Sequence, residues 1–282
     1  MENKTERLWL DRRQKTSVGE VAYAVFGEGP PVVLVHGTPT RSYLWRGVVP
    51  TLAERNRIYV YDLMGFGESE RRDGQDLSIA AQASLLKELI EVWGLDEPAT
   101  VGHDIGGGIV LRAHLLGGVR FRRIALVDSV VVTPWMTEAN EHFEAYMDAY
   151  RNMPNHLFEA IVAAHFGEAT SPKMDEEAWE TYLSQWRGEE GKLAFLRKEE
   201  GLRERDTAEL EPRLGAVDVP VLVVWGEEDA WLDSLQADRL GEAIPDSRVK
   251  KIPGTGHFVP EDAPAELARE LSTFLAEAER GS

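Results

Sequence analysis

Cysteine is absent from this chain of 282 residues, which excludes disulfide bonds and thiolate metal ligands. Basic residues are scarce beside acidic ones. The 31 Lys and Arg against 49 Asp and Glu leave a formal net charge of -18, which opposes nucleic acid or an anionic membrane as a partner. No run of about eighteen apolar residues occurs, so no membrane-spanning helix is expected, and Met1-Glu2-Asn3-Lys4 does not open a signal peptide. A soluble, cytoplasmic protein is the expectation. His36, His103, His114, His142, His156 and His165 lack metal-ligand spacing of the H-E-x-x-H kind, so no metal or other cofactor is expected. Internal repeats and low-complexity segments are also missing.

What the chain does contain is a succession of short apolar runs alternating with helical patterns, which argues for a largely parallel sheet covered on both faces. Strand-like runs fall at 18–26, 31–35, 58–62, 99–101, 124–127, 221–225 and 249–252. The first of these reads as an antiparallel strand at the sheet edge. Leu86, Leu89, Ile90 and Trp93 mark one face of a helix that starts near Ser78 and stops at Gly94. From about 132 to 214 the pattern turns to helices without strands. Phe143, Tyr146, Met147 and Tyr150 form one aromatic stripe there, and Trp179, Tyr182, Leu183 and Trp186 form another. The charged run 197–206 reads as a solvated face.

One stretch carries chemistry. Gly102-His103-Asp104-Ile105-Gly106-Gly107 follows a strand and precedes a helix, in the G-x-Nuc-x-G form of a nucleophile elbow with aspartate at the nucleophile position. A carboxylate is ionised at neutral pH and can attack a saturated carbon directly, leaving an ester on the protein. Two further motifs sit where an elbow needs them. His36-Gly37-Thr38-Pro39 follows the strand 31–35, and the backbone N–H of Thr38 can join that of Ile105 in an oxyanion hole. Gly254-Thr255-Gly256-His257-Phe258 follows the last strand and places His257 on a glycine-rich loop as a base. Asp229, in the loop after strand 221–225, is positioned to orient His257. Asp128, at the end of strand 124–127, is the alternative acid.

The order nucleophile, acid, histidine, together with these motifs, resembles the α/β-hydrolase superfamily and, within it, the aspartate-nucleophile branch of epoxide hydrolases and haloalkane dehalogenases. The resemblance runs from about residue 8 to residue 274. It implies an α/β-hydrolase fold with core segments 1–131 and 215–282 and a helical lid, 132–214, and an enzyme acting on a small-molecule substrate. The residues expected to meet that substrate are His36, Trp135, Tyr146, Tyr150, Tyr182, Trp231 and Phe258.

The leaving group divides the branch. Haloalkane dehalogenases of this kind hold the halide with a tryptophan directly after the nucleophile, often with an asparagine in the early turn, whereas this chain has Ile105 and Thr38. The stretch 39–46 still resembles that family, and Trp135 and Trp231 are alternative indole donors. Epoxide hydrolases use lid tyrosines as acids, yet Leu196 stands where one is usual. Tyr146, Tyr150, Tyr182, His142 and His165 remain to replace it. Epoxide hydrolysis is slightly favoured on the sequence, because a lid acid is more easily supplied from elsewhere than a tryptophan beside the nucleophile. A haloalkane or haloacid dehalogenase is the alternative, and a binding protein without turnover is the reading from another class.

Overall fold

A computed structural model describes residues 9–170 and 174–277. Its sheet is built from β1 (Arg12–Thr16), β2 (Gly19–Phe26), β3 (Pro31–Val35), β4 (Arg57–Tyr61), β5 (Ala99–Asp104), β6 (Arg123–Ser129), β7 (Val221–Gly226) and β8 (Ser247–Ile252). The eight strands lie in the order β1-β2-β4-β3-β5-β6-β7-β8. β2 runs antiparallel to both its neighbours, and β3 through β8 pair in parallel.

Alternation in the central strands explains the three layers. Val33, Val35, Ile124, Leu126 and Val223 belong to one core, shared with the helices Ile79–Val92 and Ile105–Leu115. Val32, Leu34, Val101, Ala125, Val127 and Val224 belong to the other, shared with the helix Pro264–Ala276. Strands buried on both faces are apolar throughout rather than alternating with polar residues, as parallel strands under two helical layers must be. Ser78 caps Ile79–Val92 by accepting from the Ala81 N–H at 3.2 Å, and Gly94 ends that turn at φ 64°.

Three expectations are corrected here. The sheet edge is β1, and β2 lies inside it; the Arg-Arg-Gln-Lys-Thr of β1 is polar and largely exposed, so it is held by its ladder to β2 and carries no apolar signature. The stripe through Tyr146 is broken, since one helix ends at Ala145 and the next begins at Met147, leaving Phe143 and Tyr150 buried and Tyr146 56% exposed. Within the charged run, Lys198, Glu199 and Asp206 are buried. Lys198 lies three and four residues from Phe195, Ala194 and Leu202, on the inward face of the helix Gly188–Gly201.

Between β6 and β7 the described chain forms helices and turns without a strand. They sit on the loops that follow the parallel strands. Trp186 and Gln185 both donate to the Pro39 carbonyl, at 2.9 and 3.0 Å. Glu261 accepts from Arg46 at 2.9 Å and from Tyr182, tying the helix Glu176–Ser184 to the body of the fold. No helix among the described residues is long and apolar enough to cross a membrane. The reading of Met1–Lys4 lies outside the described residues.

The Arg46, Glu261 and Tyr182 cluster gives a first prediction. Glu261 is only 5% exposed, so Glu261→Gln leaves Arg46 short of its buried partner and should cost about 2 kcal/mol in urea unfolding. A change below about 0.5 kcal/mol, the range of ordinary surface substitutions, would show that the cluster does not brace these helices.

Candidate active site

The turn between β5 and Ile105–Leu115 puts Asp104 at φ 54° and ψ -126°, a conformation that side-chain-bearing residues rarely adopt. The surroundings hold it there. A Cβ on Gly102 would collide with the backbone of Gly106, and one on Gly37 would collide with the Asp104 carboxylate itself. The strand end, the turn of Gly37 and the start of the helix therefore converge on one side chain.

That carboxylate is nearly out of solvent, with 5% of its side chain exposed. Its Oδ1 accepts from the Thr38 N–H at 2.7 Å, and the Ile105 N–H also donates to the carboxylate. Its Oδ2 lies 3.6 Å from His257 Nε2, an ionic contact longer than a hydrogen bond. Burial alone would push the Asp104 pKa up, but the imidazoles of His257 and His103 and the Ile105 N–H outweigh it and hold the carboxyl below its ordinary value.

On the far side of the imidazole, His257 Nδ1 donates to Asp229 Oδ2 at 2.9 Å. Asp229 Oδ1 accepts from the N–H groups of Trp231 and Leu232, each at 2.9 Å, so the turn fixes the carboxylate as the carboxylate fixes the ring. Burial favours a neutral His257, yet Asp229 and Asp104 prevail and raise its pKa well above the ordinary value. Asp128 does something else. Its Oδ1 accepts from the Gly226 N–H at 2.7 Å, its Oδ2 is buried without a hydrogen-bond partner among the described residues, and burial with the nearby Asp229 charge raises its pKa well above the ordinary carboxylate range. It joins the ends of β6 and β7.

A cavity of about 30 Å³ opens onto Asp104, Ile105 and Thr38. Trp135, Trp231, Asn140, His165 and Lys198 are in its wall. An outer groove of about 580 Å³ adjoins it, and Thr137, His165 and Trp231 line both. The His165 ring stacks on Trp231 at 4.7 Å and 21°.

Of the residues expected to meet substrate, the structure brings Trp135 and Trp231 to the inner cavity and Tyr150 to the outer groove only. His36, Tyr146, Tyr182 and Phe258 line neither. His36 is fully buried, donating from Nδ1 to the Gly37 carbonyl and accepting the Leu63 N–H at Nε2, which ties two strand-end loops together; burial lowers its pKa. Tyr182 is committed to Glu261, and Phe258 packs among Phe166, His103 and His257. Tyr146 is exposed with its ring 4.6 Å from that of His142, and Tyr150 bonds to His142 at 2.6 Å. The two tryptophans differ. Trp135 Nε1 already donates to Thr207 Oγ1 at 2.7 Å, whereas the buried Trp231 Nε1 has no hydrogen-bond partner among the described residues. Lys198 and Asn140 were not anticipated at the site; the inward spacing of Lys198 was the available sign of it. Among the described residues, no cluster of His, Asp or Glu is arranged to hold a metal.

Similarity to known proteins agrees with this architecture. The alpha/beta hydrolase fold family model matches residues 30–264. Haloalkane dehalogenase 2 of Mycobacterium tuberculosis is 29% identical over 274 residues, covering 94% of this chain and 93% of that protein. An alpha/beta hydrolase fold protein from Burkholderia ambifaria superposes with a TM-score of 0.90 at 34% identity, covering 94% and 97% of the two chains. A putative ancestral haloalkane dehalogenase shares the fold at a TM-score of 0.78 and 22% identity, over 94% of this chain and 98% of that one.

The electrostatics give the second prediction. A histidine titration by NMR should find the His257 ring still protonated as pH rises past about 6.5, where an unperturbed imidazole is half neutral. His103, whose pKa burial and the His257 charge lower to about 4, should stay neutral across the same range. A His257 that loses its proton at or below the ordinary value would mean that the two carboxylates do not act on it as their positions require.

Proposed function

The chain belongs to the alpha/beta hydrolase fold family, and from that premise we propose that it displaces halide from a small alkyl halide through an ester on Asp104. The observation that carries this reading is the hold on Asp104: Oδ1 accepts the Thr38 N–H, the Ile105 N–H also donates to the carboxylate, and Oδ2 faces His257. The oxygen held by the Thr38 N–H becomes the ester carbonyl, which leaves Oδ2 to attack.

In the first step a lone pair of Oδ2 forms the C–O bond and the C–X pair departs with the halide. The negative charge leaves Asp104. That removes one of the two charges that raise the His257 pKa, so the imidazolium can release its proton and serve as base. In the second step His257 takes a proton from water, the hydroxide adds to the ester carbon, and Thr38 and Ile105 donate to the oxyanion. Collapse releases the alkyl oxygen as the alcohol with the proton from His257. Asp229 keeps the ring oriented, and the helices of 132–214 act as the lid over the cavity.

Halide is preferred to epoxide on two observations. None of Tyr146, Tyr150 and Tyr182 lines the Asp104 cavity, so the tyrosines that were to replace the missing lid acid are elsewhere. Trp231, by contrast, is in that wall, and its indole N–H, without a hydrogen-bond partner among the described residues, is a donor suited to a halide. The resemblance to a protein named haloalkane dehalogenase supports the same direction. Epoxide hydrolysis is the second reading, favoured by one observation: His165 lines the cavity, and with its Nδ1 on Glu168 its Nε2 is left to donate to an opened-ring oxygen.

The test is the mass of the His257→Gln variant after exposure to bromobutane and, separately, to styrene oxide. Asp104 should gain the butyl group without bromine, and loss of that group should be slowed about 1,000-fold relative to the unaltered protein. A whole-epoxide adduct alone would establish the second reading, and no adduct from either would refute an active Asp104 nucleophile. The pH dependence follows by sign. Ester formation should be flat over roughly pH 5 to 9, because Asp104 is ionised throughout, while ester hydrolysis should rise with pH as His257 loses its proton. Rapid-quench measurement of the two steps separates them, and a hydrolysis rate that falls with pH would contradict the base assigned to His257.

A further inference from the structure

Lys198 is 2% exposed, and so deep a lysine is seldom left without a partner. Its ammonium pairs with Glu199, and it lies 3.9 Å from the centroid of the Phe195 ring. Glu199 is in turn engaged from the other side, its Oε2 accepting from Asn140 Nδ2 at 3.0 Å. The Asn140 oxygen is occupied by the Thr137 N–H and hydroxyl at 3.1 and 2.7 Å. The position of the pair is what matters. Lys198 is in the wall of the Asp104 cavity and Glu199 is not, and burial together with the Lys198 charge lowers the pKa of His165 in the same wall.

We infer that Lys198 takes up the departing halide, forming with the Trp231 indole N–H a receptor for a monovalent anion across the cavity from Asp104. The inference rests on the halide-displacement reading. As the Oδ2–C bond forms and the C–X pair leaves, one negative charge moves from the strand-end N–H groups toward the opposite wall. In a small, water-poor cavity that charge is costly unless a fixed positive group waits for it. Lys198 transfers no proton in this step; it balances the charge. Glu199 moderates its pull, so the halide is held during displacement and released afterwards. A brace between helices would not require a lysine in the cavity wall, and buried ion pairs add little stability over apolar packing.

The pair makes predictions of opposite sign, which a brace does not. Sodium bromide would be titrated calorimetrically into the full chain, with sodium sulfate holding ionic strength constant. Lys198→Met should weaken bromide binding roughly 10- to 100-fold, the worth of one charge-assisted hydrogen bond. Glu199→Gln should tighten it, because Lys198 then faces the cavity without its counterion. Should Lys198→Met fail to fold, Glu199→Gln tests the inference with Lys198 in place. Weaker binding in both variants, or no change in either, would overturn it, as would an unaltered protein that binds no bromide. The adduct in His257→Gln reports separately on the reading beneath. Adduct formation from bromobutane with unchanged bromide binding in the Lys198 and Glu199 variants defeats the inference alone, and no adduct defeats both.

Discussion

A carboxylate buried at the end of a parallel strand is the constraint around which the molecule is organised. Removing Asp104 from water would be prohibitive if its charge met only apolar neighbours. It is tolerated because two backbone N–H groups and the imidazolium of His257 converge on it. Each donor depends on a separate part of the chain: Thr38 on the end of β3, Ile105 on the first residue of a helix, and His257 on the loop after β8. Parallel pairing brings those strand ends to one edge of the sheet. The glycines at 37 and 102 permit the closeness, since a methyl group at either would occupy space already filled by the carboxylate or by the elbow.

Three carboxyl groups and one imidazole share this edge, and their inequality is what makes them useful. The Asp104 carboxyl is held below its ordinary pKa, Asp229 accepts from two N–H groups and the His257 ring, and burial with the charge of Asp229 raises the Asp128 pKa. A charge on Asp128 is disfavoured because Asp229 already carries one in the same low-dielectric region. Asp128 instead accepts from the Gly226 N–H, where it joins two strands. The proposed cycle uses the same inequality over time. Esterification discharges Asp104, and the loss of that charge frees His257 to act as base, so the first step prepares the second.

The parts of this arrangement that are local in sequence were legible in it. Glycines at fixed offsets around Asp104 and the glycine-rich loop of His257 specify backbone geometry directly, and buried strands announce themselves as apolar runs. Asp229 over Asp128 as the group bonded to His257 was expected from loop pattern, and the bond itself is now visible at 2.9 Å. What was not legible depends on contacts between distant segments. β1 has no apolar signature, because an exposed edge strand is held by hydrogen bonds. The aromatic positions between β6 and β7 looked equivalent in sequence, yet Tyr182 turns to Glu261, Tyr146 to the surface and Tyr150 to the outer groove. Lys198 was hidden by its neighbours: a lysine among charged residues reads as solvated unless its spacing from Phe195 and Leu202 is followed around the helix.

The sizes of the two cavities bear on which substrates the site can take. The cavity beside Asp104 is far smaller than the groove outside it, about 30 Å³ against about 580 Å³, so an alkyl chain that outgrows it extends outward. The outer groove of about 580 Å³ has the volume for that chain, and the surfaces common to both spaces are Thr137, His165 and Trp231. Trp231, whose N–H has no partner among the described residues, is thus in the wall of the inner cavity and also part of the passage into it, stacked on His165. Movement of Trp231 to admit a chain would shift the donor, and a substrate that requires no such movement keeps it aimed at the leaving group. Leaving-group recognition and substrate length are therefore coupled through one indole, and a narrow chain lying along the groove, with its reactive carbon at Asp104, is the shape that satisfies both.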